Sequence, residues 1–220
     1  MPAESNSTIK AVILDYGEVL CHTPAPQFIQ SMADVFKLSP QAFRAIYDRH
    51  RLPYDRGDYS PEAYWSKFEE ETNSKLLPAQ LQQLRNWDVD MWSNVDPAML
   101  AWVDTLRAHG LKIALLSNMH ADMARHFRMH FDWVNKFETA ILSAEMRSVK
   151  PEPEIYLRTV EALGVRPEEA LFIDDRERNT RGAEQVGIRA VRFESMKQLA
   201  SELERLGLNL PAPLSEKTSP

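Results

Sequence analysis

A shortage of cysteine sets the first limits on this chain. Cys21 is the single cysteine among 220 residues, so a disulfide within the chain and any metal site built from several thiolates are excluded. We expect Cys21 to be a small, buried, apolar residue near the first strand.

A basic surplus and long apolar runs are also lacking. The net charge is −6, which makes nucleic acid and acidic membranes poor candidates as partners. No apolar run approaches the roughly 20 residues of a membrane-spanning helix. Residues 1–8 are polar and lack the apolar stretch of a secretory signal. We therefore expect a cytoplasmic protein with no nucleic-acid or membrane partner, while the oligomeric state stays open.

Hydrophobic residues make up 44% of the chain, enough for one well-buried core and a small accessory domain. From Pro97 onward, amphipathic helical stretches alternate with short apolar runs, which predicts an α/β fold with a doubly wound parallel sheet. Strands are expected at 11–14, 112–116, 140–142, 170–173 and 190–193. Gly110, Gly164 and Gly187 are each expected to end a helix just before a strand.

Residues 24–90 show helical periodicity without a convincing strand, which predicts a small helical cap inserted after the first strand. The core is therefore expected to comprise 1–23 and 91–208. The proline-containing end, 209–220, is expected to be a flexible tail.

Four polar segments follow this scheme of strands. Asp15 ends the first apolar run, Ser117-Asn118 follows the second strand, Lys150 stands before Pro151, and Asp174-Asp175 ends a later apolar run. Parallel strands present such groups together at their carboxyl ends. A nucleophilic carboxylate, a hydroxyl, an ammonium and a carboxylate pair are the components of a phosphate and magnesium site.

In this order, the four segments resemble the signature of the haloacid dehalogenase (HAD) superfamily, most of whose members are magnesium-dependent phosphatases. The resemblance runs from about Ile9 to Phe193 and implies a Rossmann-like core. Within the superfamily, Gly17 two places after the nucleophile is similar to phosphatases of the glucose 1-phosphate type. The remainder is similar to the phosphatase domain of soluble epoxide hydrolase.

The resemblance implies a role for each residue. Asp15 attacks phosphorus and forms an aspartyl-phosphate, while Ser117, Asn118 and Lys150 bind the phosphate. The expected ligands of Mg²⁺ are Asp15, the carbonyl oxygen of Gly17 and Asp175, with Asp174 and Asn179 beside them. The substrate is expected to be a small phosphorylated metabolite, with sugar phosphates favoured.

Gly17 departs from the pattern, because most phosphatases of the superfamily carry a second aspartate there as general acid and base. Such catalysis contributes about 10²–10⁴-fold to rate. A slower enzyme, a restriction to good leaving groups and an acid from elsewhere all remain open. Glu18 and His22 are candidates for that acid, and Glu18 is also a candidate for substrate binding.

The cap offers further candidates for recognition of the leaving group. We expect Arg49, His50 and Arg56 to contact a sugar or a second acidic group of the substrate. The alternative is an ordinary solvated surface, because mixed charges on a helix are also typical of that. His126 and His130 are interpreted as an exposed face rather than a metal site. The tryptophans at 87, 92 and 102 are expected to pack between cap and core.

Two alternatives to a phosphatase are kept. A 2-haloacid dehalogenase on the same fold would also use Asp15 but needs no metal, so the pair Asp174-Asp175 argues against it. A binding or regulatory module that lost turnover at Gly17 would have no need of the nucleophile, lysine and metal carboxylates together.

Overall fold

The computed structural model describes residues 8–213, and its centre is a five-stranded parallel sheet. The strands are β1 (Ala11–Leu14), β2 (Lys112–Ser117), β3 (Thr139–Leu142), β4 (Ala170–Asp174) and β5 (Arg189–Arg192). They stand in the order β3-β2-β1-β4-β5, and every pairing is parallel. The predicted doubly wound parallel sheet is confirmed.

The helices within the described residues fall into two groups. Four follow β1 in a contiguous insert that ends before α5: α1 (Pro26–Val35), α2 (Pro40–Arg56), α3 (Pro61–Thr72) and α4 (Pro78–Asp90). The others belong to the sheet: α5 (Pro97–Ala108), α6 (Ala121–His130), α7 (Ser143–Met146), α8 (Pro153–Leu163), α9 (Glu177–Gln185) and α10 (Met196–Arg205). Two 3₁₀ turns complete the set, Asp132–Lys136 and Pro167–Glu169.

Alternate residues of the strands pack on opposite faces of the sheet, as side chains in a strand must. Val12 and Leu14 lie in a cluster with α5, α6 and α10. Ala11 and Ile13 lie in a second cluster with α8 and α9. Both faces of the central strand are therefore buried, which explains its continuous apolar sequence.

The helices α1 to α4 bury a third apolar cluster of their own, built largely from aromatic side chains. Proline occupies the first turn of each of these helices, where its missing N–H would be unpaired anyway. Ser39 and Ser60 cap α2 and α3 by accepting backbone hydrogen bonds from Ala42 and Ala63. We refer to α1–α4 as the cap helices.

The order of the strands fixes the position of any site. The chain runs from β1 outward through β2 to β3 and then crosses to β4 and β5 on the other side, so the connection reverses direction at β1. Ligands of open α/β sheets bind at the carboxyl ends of the strands at such a reversal. Asp15 follows β1 at this point.

Several local expectations are resolved by the structure. Gly110, Gly164 and Gly187 all have positive φ at helix ends, as predicted. Cys21 is 1% exposed. Within residues 8–213, Trp92 is the one tryptophan that packs against both the core and the cap clusters. Trp102 lies in the core and Trp87 against the cap cluster, so the prediction for these two is wrong.

The end of the described chain packs on the core. The Trp102 indole donates a hydrogen bond of 2.9 Å to the carbonyl oxygen of Pro211, and Pro213 is buried. Residues 209–213 of the expected flexible tail are therefore docked, and residues 214–220 lie outside the described residues. No helix within residues 8–213 is long and apolar enough to cross a membrane.

Candidate active site

The carboxylate of Asp15 is held at the end of the central strand. Its backbone N–H donates to Ile173 O at 2.9 Å, continuing the pairing of β1 with β4. The side chain is only 10% exposed, and its Oδ1 lies 2.7 Å from Nζ of Lys150. The strand end thus places a buried carboxylate against a fixed ammonium.

Lys150 is 1% exposed and is surrounded by acceptors. Its Nζ donates to Asp174 Oδ2 at 2.7 Å and to the Leu116 carbonyl at 3.0 Å, in addition to its contact with Asp15. Burial alone would lower the pKa of Lys150, but Asp15 and Asp174 outweigh it and the pKa is raised. Lys150 is therefore a permanent positive charge between two carboxylates.

Asp174 is fully buried and its two oxygens are already occupied by donors. Besides Lys150, Asn179 Nδ2 lies 2.9 and 3.0 Å from the two oxygens, and the Arg176 N–H donates to Oδ1 at 2.8 Å. Although burial opposes ionisation, Lys150 and these hydrogen bonds lower the pKa of Asp174. Asp174 therefore holds the ammonium group of Lys150 in position.

Asp175 has a different environment, because it is only partly buried and lines the cavity above the strand ends. Burial and the neighbouring Asp174 raise the pKa of Asp175 to about 6. Burial, assisted by Asp174 and Asp175, also raises the pKa of Asp15 to about 8 despite Lys150. The positive charge of Lys150 is therefore not enough to keep all three carboxylates ionised.

The donor set fits a hard divalent cation. Oxygen atoms of Asp15, Asp174 and Asp175 all lie within 4.8 Å of one another. The carbonyl-type Oδ1 of Asn179 is buried beside them with no hydrogen-bond donor among the described residues. Carboxylate and amide oxygens are the ligands that Mg²⁺ prefers.

Ser117 ends β2, and Asn118 follows it. Ser117 is 3% exposed and lines the cavity. The Asn118 amide donates to the Lys150 carbonyl at 3.0 Å and accepts from the Lys150 N–H at 2.8 Å. The side chain of Asn118, expected to bind substrate, is thus used to fix the loop that carries Lys150.

The space beside Gly17 is occupied by Trp92. A Cβ atom built on Gly17 would lie 3.2 Å from Cζ3 of the indole, which is closer than an ordinary van der Waals contact. The backbone of Trp92 is also fixed, because the Tyr16 hydroxyl donates to its carbonyl. An aromatic ring therefore lies where any side chain at position 17 would project.

A cavity of about 510 Å³ is lined both by this cluster and by residues of α2. Arg44, Asp48, Arg51 and Asp55 all line it. Their spacing of four, three and four residues places them on one side of a helix. These residues were not among the predicted site residues, although the periodicity of charges in 44–55 was a usable signal.

The prediction for Arg49 is wrong in its placement. Arg49 projects from another side of α2 and pairs with Glu71, as does His50, whose Nε2 lies 2.6 Å from that carboxylate. Successive residues of a helix are separated by about 100°, so the neighbours of Asp48 do not share its direction. Arg56 contacts Glu152 and Asp58 and does not line the cavity.

The two candidate acids differ in position. Glu18 lines the cavity but is exposed, and its backbone has φ of 59°. His22 is exposed and lies outside the cavity lining, consistent with a position at the start of the cap. His126 and His130 stack on each other on the outer side of α6, with ring centroids 4.3 Å apart.

Comparison with known proteins identifies the class. The family described as haloacid dehalogenase-like hydrolase matches residues 9–187, and the chain belongs to this family. Flavin mononucleotide hydrolase 1 of Arabidopsis thaliana is 44% identical over 64 residues, 29% of this chain and 26% of that protein. The chain therefore spans about a quarter of that relative's length.

Longer matches are more distant. The putative phosphatase YhcW of Bacillus subtilis is 25% identical over 83% of this chain and 82% of its own length. Among solved structures, a HAD family enzyme from Bacteroides thetaiotaomicron, in a magnesium complex, superposes with a TM-score of 0.71 at 25% identity. That match covers 86% of this chain and 94% of the other.

Proposed function

We propose that this protein is a magnesium-dependent phosphatase that hydrolyses small phosphorylated metabolites through an aspartyl-phosphate on Asp15. The observation that carries the proposal is the contact of Asp15 with the buried ammonium of Lys150 beside the acidic pair Asp174-Asp175. Phosphoryl transfer needs an oxygen nucleophile and concentrated positive charge around the transferred group. The name of its Bacillus subtilis relative, a putative phosphatase, supports the same chemistry.

Asp15, Asp175 and the carbonyl oxygen of Gly17 would hold the cation, with Asp174 and Asn179 beside it. When bound, Mg²⁺ supplies positive charge to the transferred phosphoryl group and keeps the carboxylates ionised. The magnesium complex of the structural neighbour supports this assignment.

The protein's own groups would divide the remaining work. Asp15 attacks phosphorus, and Lys150 stabilises the equatorial oxygens while holding the nucleophile in place. The Ser117 hydroxyl and the backbone N–H groups after Asp15 and Ser117 donate to the phosphate. Asn118 secures the backbone of Lys150 and so keeps this geometry rigid.

The size of the cavity supports a small substrate. About 510 Å³ is within the range of sites for single small molecules. Charged side chains of α2 face the site, which favours polar leaving groups such as sugars. We retain the cytoplasmic location expected from the sequence as part of this proposal.

The testing experiment measures phosphate release from a panel of sugar phosphates, nucleotides and an activated aryl phosphate. Release should require Mg²⁺, and Asp15→Asn should abolish it while the circular dichroism spectrum remains that of the folded protein. Arg49→Ala, on the outer side of the cap, serves as the matched control and should retain full activity. Equal release by Asp15→Asn and the unchanged protein would overturn the proposal.

A further inference from the structure

Gly17 leaves the proposed reaction without its usual proton donor. A sugar or alkyl leaving group departs as a strong base and needs a proton in the transition state. Apart from the metal cluster, the carboxylates that line the cavity among the described residues are Glu18, Asp48 and Asp55. These three differ sharply in burial and in how firmly they are held.

Glu18 and Asp48 are poorly suited to proton transfer. Both side chains are exposed, and neither carboxylate has a hydrogen bond or ion pair within residues 8–213. A catalytic acid must keep its position to within a fraction of an ångström, which a free exposed side chain does not.

Asp55 is buried to 7% exposure and is held by one oxygen only. Its Oδ1 accepts from Nε of Arg51 at 2.9 Å. Its Oδ2 has no donor in the described part of the chain and retains contact with solvent. The side chain lines the cavity, so a fixed carboxyl group presents one free oxygen to it.

The backbone of Asp55 is anchored to the core rather than to the cap alone. The Ser143 hydroxyl donates to the Asp55 carbonyl at 2.5 Å and accepts from the Met119 N–H at 2.8 Å. Met119 follows Ser117 by two residues, so this chain of hydrogen bonds reaches the predicted phosphate loop. Gly57 lets α2 approach α7 closely, because a Cβ there would lie 3.0 Å from the Ala144 carbonyl.

We propose that Asp55 is the general acid and base that replaces the missing aspartate at position 17. This inference rests on the proposed phosphatase function. As Asp15 forms its bond to phosphorus, the ester P–O bond breaks and its electron pair stays on the leaving oxygen, which takes the Asp55 proton. The Asp55 carboxylate then removes a proton from water as the water oxygen attacks phosphorus. The bond between phosphorus and Asp15 breaks, releasing phosphate and restoring both side chains.

The electrostatic surroundings agree with this geometry. Burial raises the pKa of Asp55 to about 6, although Arg51 on the same helix lowers it. The other charges that act on it are Asp88 of α4, which raises the pKa, and Arg176 after β4, which lowers it. From α7 the contact is the neutral Ser143 hydroxyl. Both protonation states are accessible near neutral pH, as an acid and base in turn requires.

The test compares Asp55→Asn with the unchanged protein on two substrates, the best sugar phosphate of the panel and p-nitrophenyl phosphate, whose leaving group needs no proton. We expect kcat/KM for the sugar phosphate to fall about 10²–10⁴-fold. For the aryl phosphate we expect kcat/KM to change by less than about threefold, with a burst of nitrophenol because the second step loses its base. Asp58→Asn, three residues further on and outside the cavity lining, should leave the ratio of the two substrates unchanged.

A second measurement needs no variant. In the unchanged protein, kcat/KM for the sugar phosphate should fall as pH rises through about 6, because the protonated form of Asp55 is lost. For the aryl phosphate, kcat/KM should show no decrease over this pH range. Equal losses on both substrates in Asp55→Asn, no loss on either, or identical pH profiles would each overturn the role of Asp55. Phosphate release by Asp15→Asn would instead refute the phosphatase itself, so the two failures are distinguishable.

Discussion

At the scale of single residues, the site depends on one buried cation. Lys150 lies 2.7 Å from both Asp15 and Asp174, and the structure shows no other lysine or arginine within residues 8–213 in ion-pair contact with either carboxylate. Removing one partner of a buried ion pair leaves the other charge desolvated and uncompensated. Lys150 therefore stabilises the fold as well as the proposed transition state.

Substitution of this lysine has a predicted cost. Lys150→Met should lower the free energy of unfolding by about 3–5 kcal/mol at pH 7 and abolish phosphate release. Urea titration without added metal measures the first effect. Lys197→Met, on the exposed surface of α10, should change stability by less than about 0.5 kcal/mol. Equal stability of the two variants would show that Lys150 is not the compensating charge.

The sequence predicted the strand-end residues better than the supporting ones. Asp15, Ser117 and Asp175 follow apolar runs, so a parallel sheet brings them together by construction. The use of the Asn118 amide on the Lys150 backbone depends on a contact between loops 32 residues apart, which no local pattern encodes. Trp92 over Gly17 is likewise set by the packing of the insert on the core.

At the scale of elements, α2 supplies four charged side chains to the lining of the cavity. The sequence predicted helices in this region, but the candidate it singled out, Arg49, lies on the wrong side of the helix. Arg44 faces the cavity and, within the described residues, has no ion pair that would occupy its guanidinium. The sequence pattern predicted a helix here but not which of its faces lines the cavity. The reason is that apolar and charged residues of α2 are buried on adjoining sides of the helix.

Arg44 and Arg49 of α2 therefore make a matched pair for a test. Arg44→Ala should raise KM for the best sugar phosphate about tenfold or more, since a hydrogen bond to a charged group contributes about 1.5–3 kcal/mol. The value of kcat should stay within about threefold if the contact is made equally in ground and transition states. Arg49→Ala should leave both constants unchanged. A raised KM in Arg49→Ala together with an unchanged KM in Arg44→Ala would contradict the assignment of the Arg44 face of α2 to the cavity.

At the scale of the whole molecule, a polar junction joins the cap helices to the core. Asp88 is fully buried there, with Arg51 Nη1 at 2.9 Å and the Tyr47 hydroxyl at 2.6 Å. His120, at the start of α6, is also fully buried and stacks on Tyr54 with centroids 4.6 Å apart. Nε2 of His120 lies 3.4 Å from Oδ2 of Asp88, but neither ring nitrogen has a hydrogen-bond partner among the described residues. Burial outweighs the attraction of Asp88 and favours the neutral form.

The buried histidine links stability to pH. Burial lowers the pKa of His120 to about 4, whereas an unfolded histidine titrates near 6.5. Between these values the unfolded chain binds a proton that the folded chain does not, so His120 lowers stability as pH falls from about 7 to 4. The loss amounts to at most about 3 kcal/mol.

His120→Phe should remove this component while keeping the stack on Tyr54. Urea unfolding at pH 7 and pH 5 should therefore show a smaller loss of stability in this variant than in the unchanged protein. His22→Phe, at an exposed position, should keep the original pH dependence. Parallel curves for all three proteins would mean that His120 does not titrate differently in the folded state.

Most of the architecture was accessible from the sequence. Five apolar runs gave the five strands to within one or two residues, and their alternation with helices gave the parallel, two-faced sheet. The strand order and the amphipathic helix α10 were not predicted, because the order depends on the crossover from β3 to β4 rather than on any one segment. The aromatic cluster of the cap helices explains why that region is helical yet rich in large apolar side chains.

The most direct test of the central claim is to detect the covalent intermediate. The protein would be mixed with its best substrate and Mg²⁺, quenched in acid during turnover, digested, and the peptide containing Asp15 examined by mass spectrometry. We predict the added mass of one phosphoryl group on Asp15, and none in Asp15→Asn. Steady phosphate release with that peptide unmodified throughout the pre-steady-state phase would contradict Asp15 as the nucleophile.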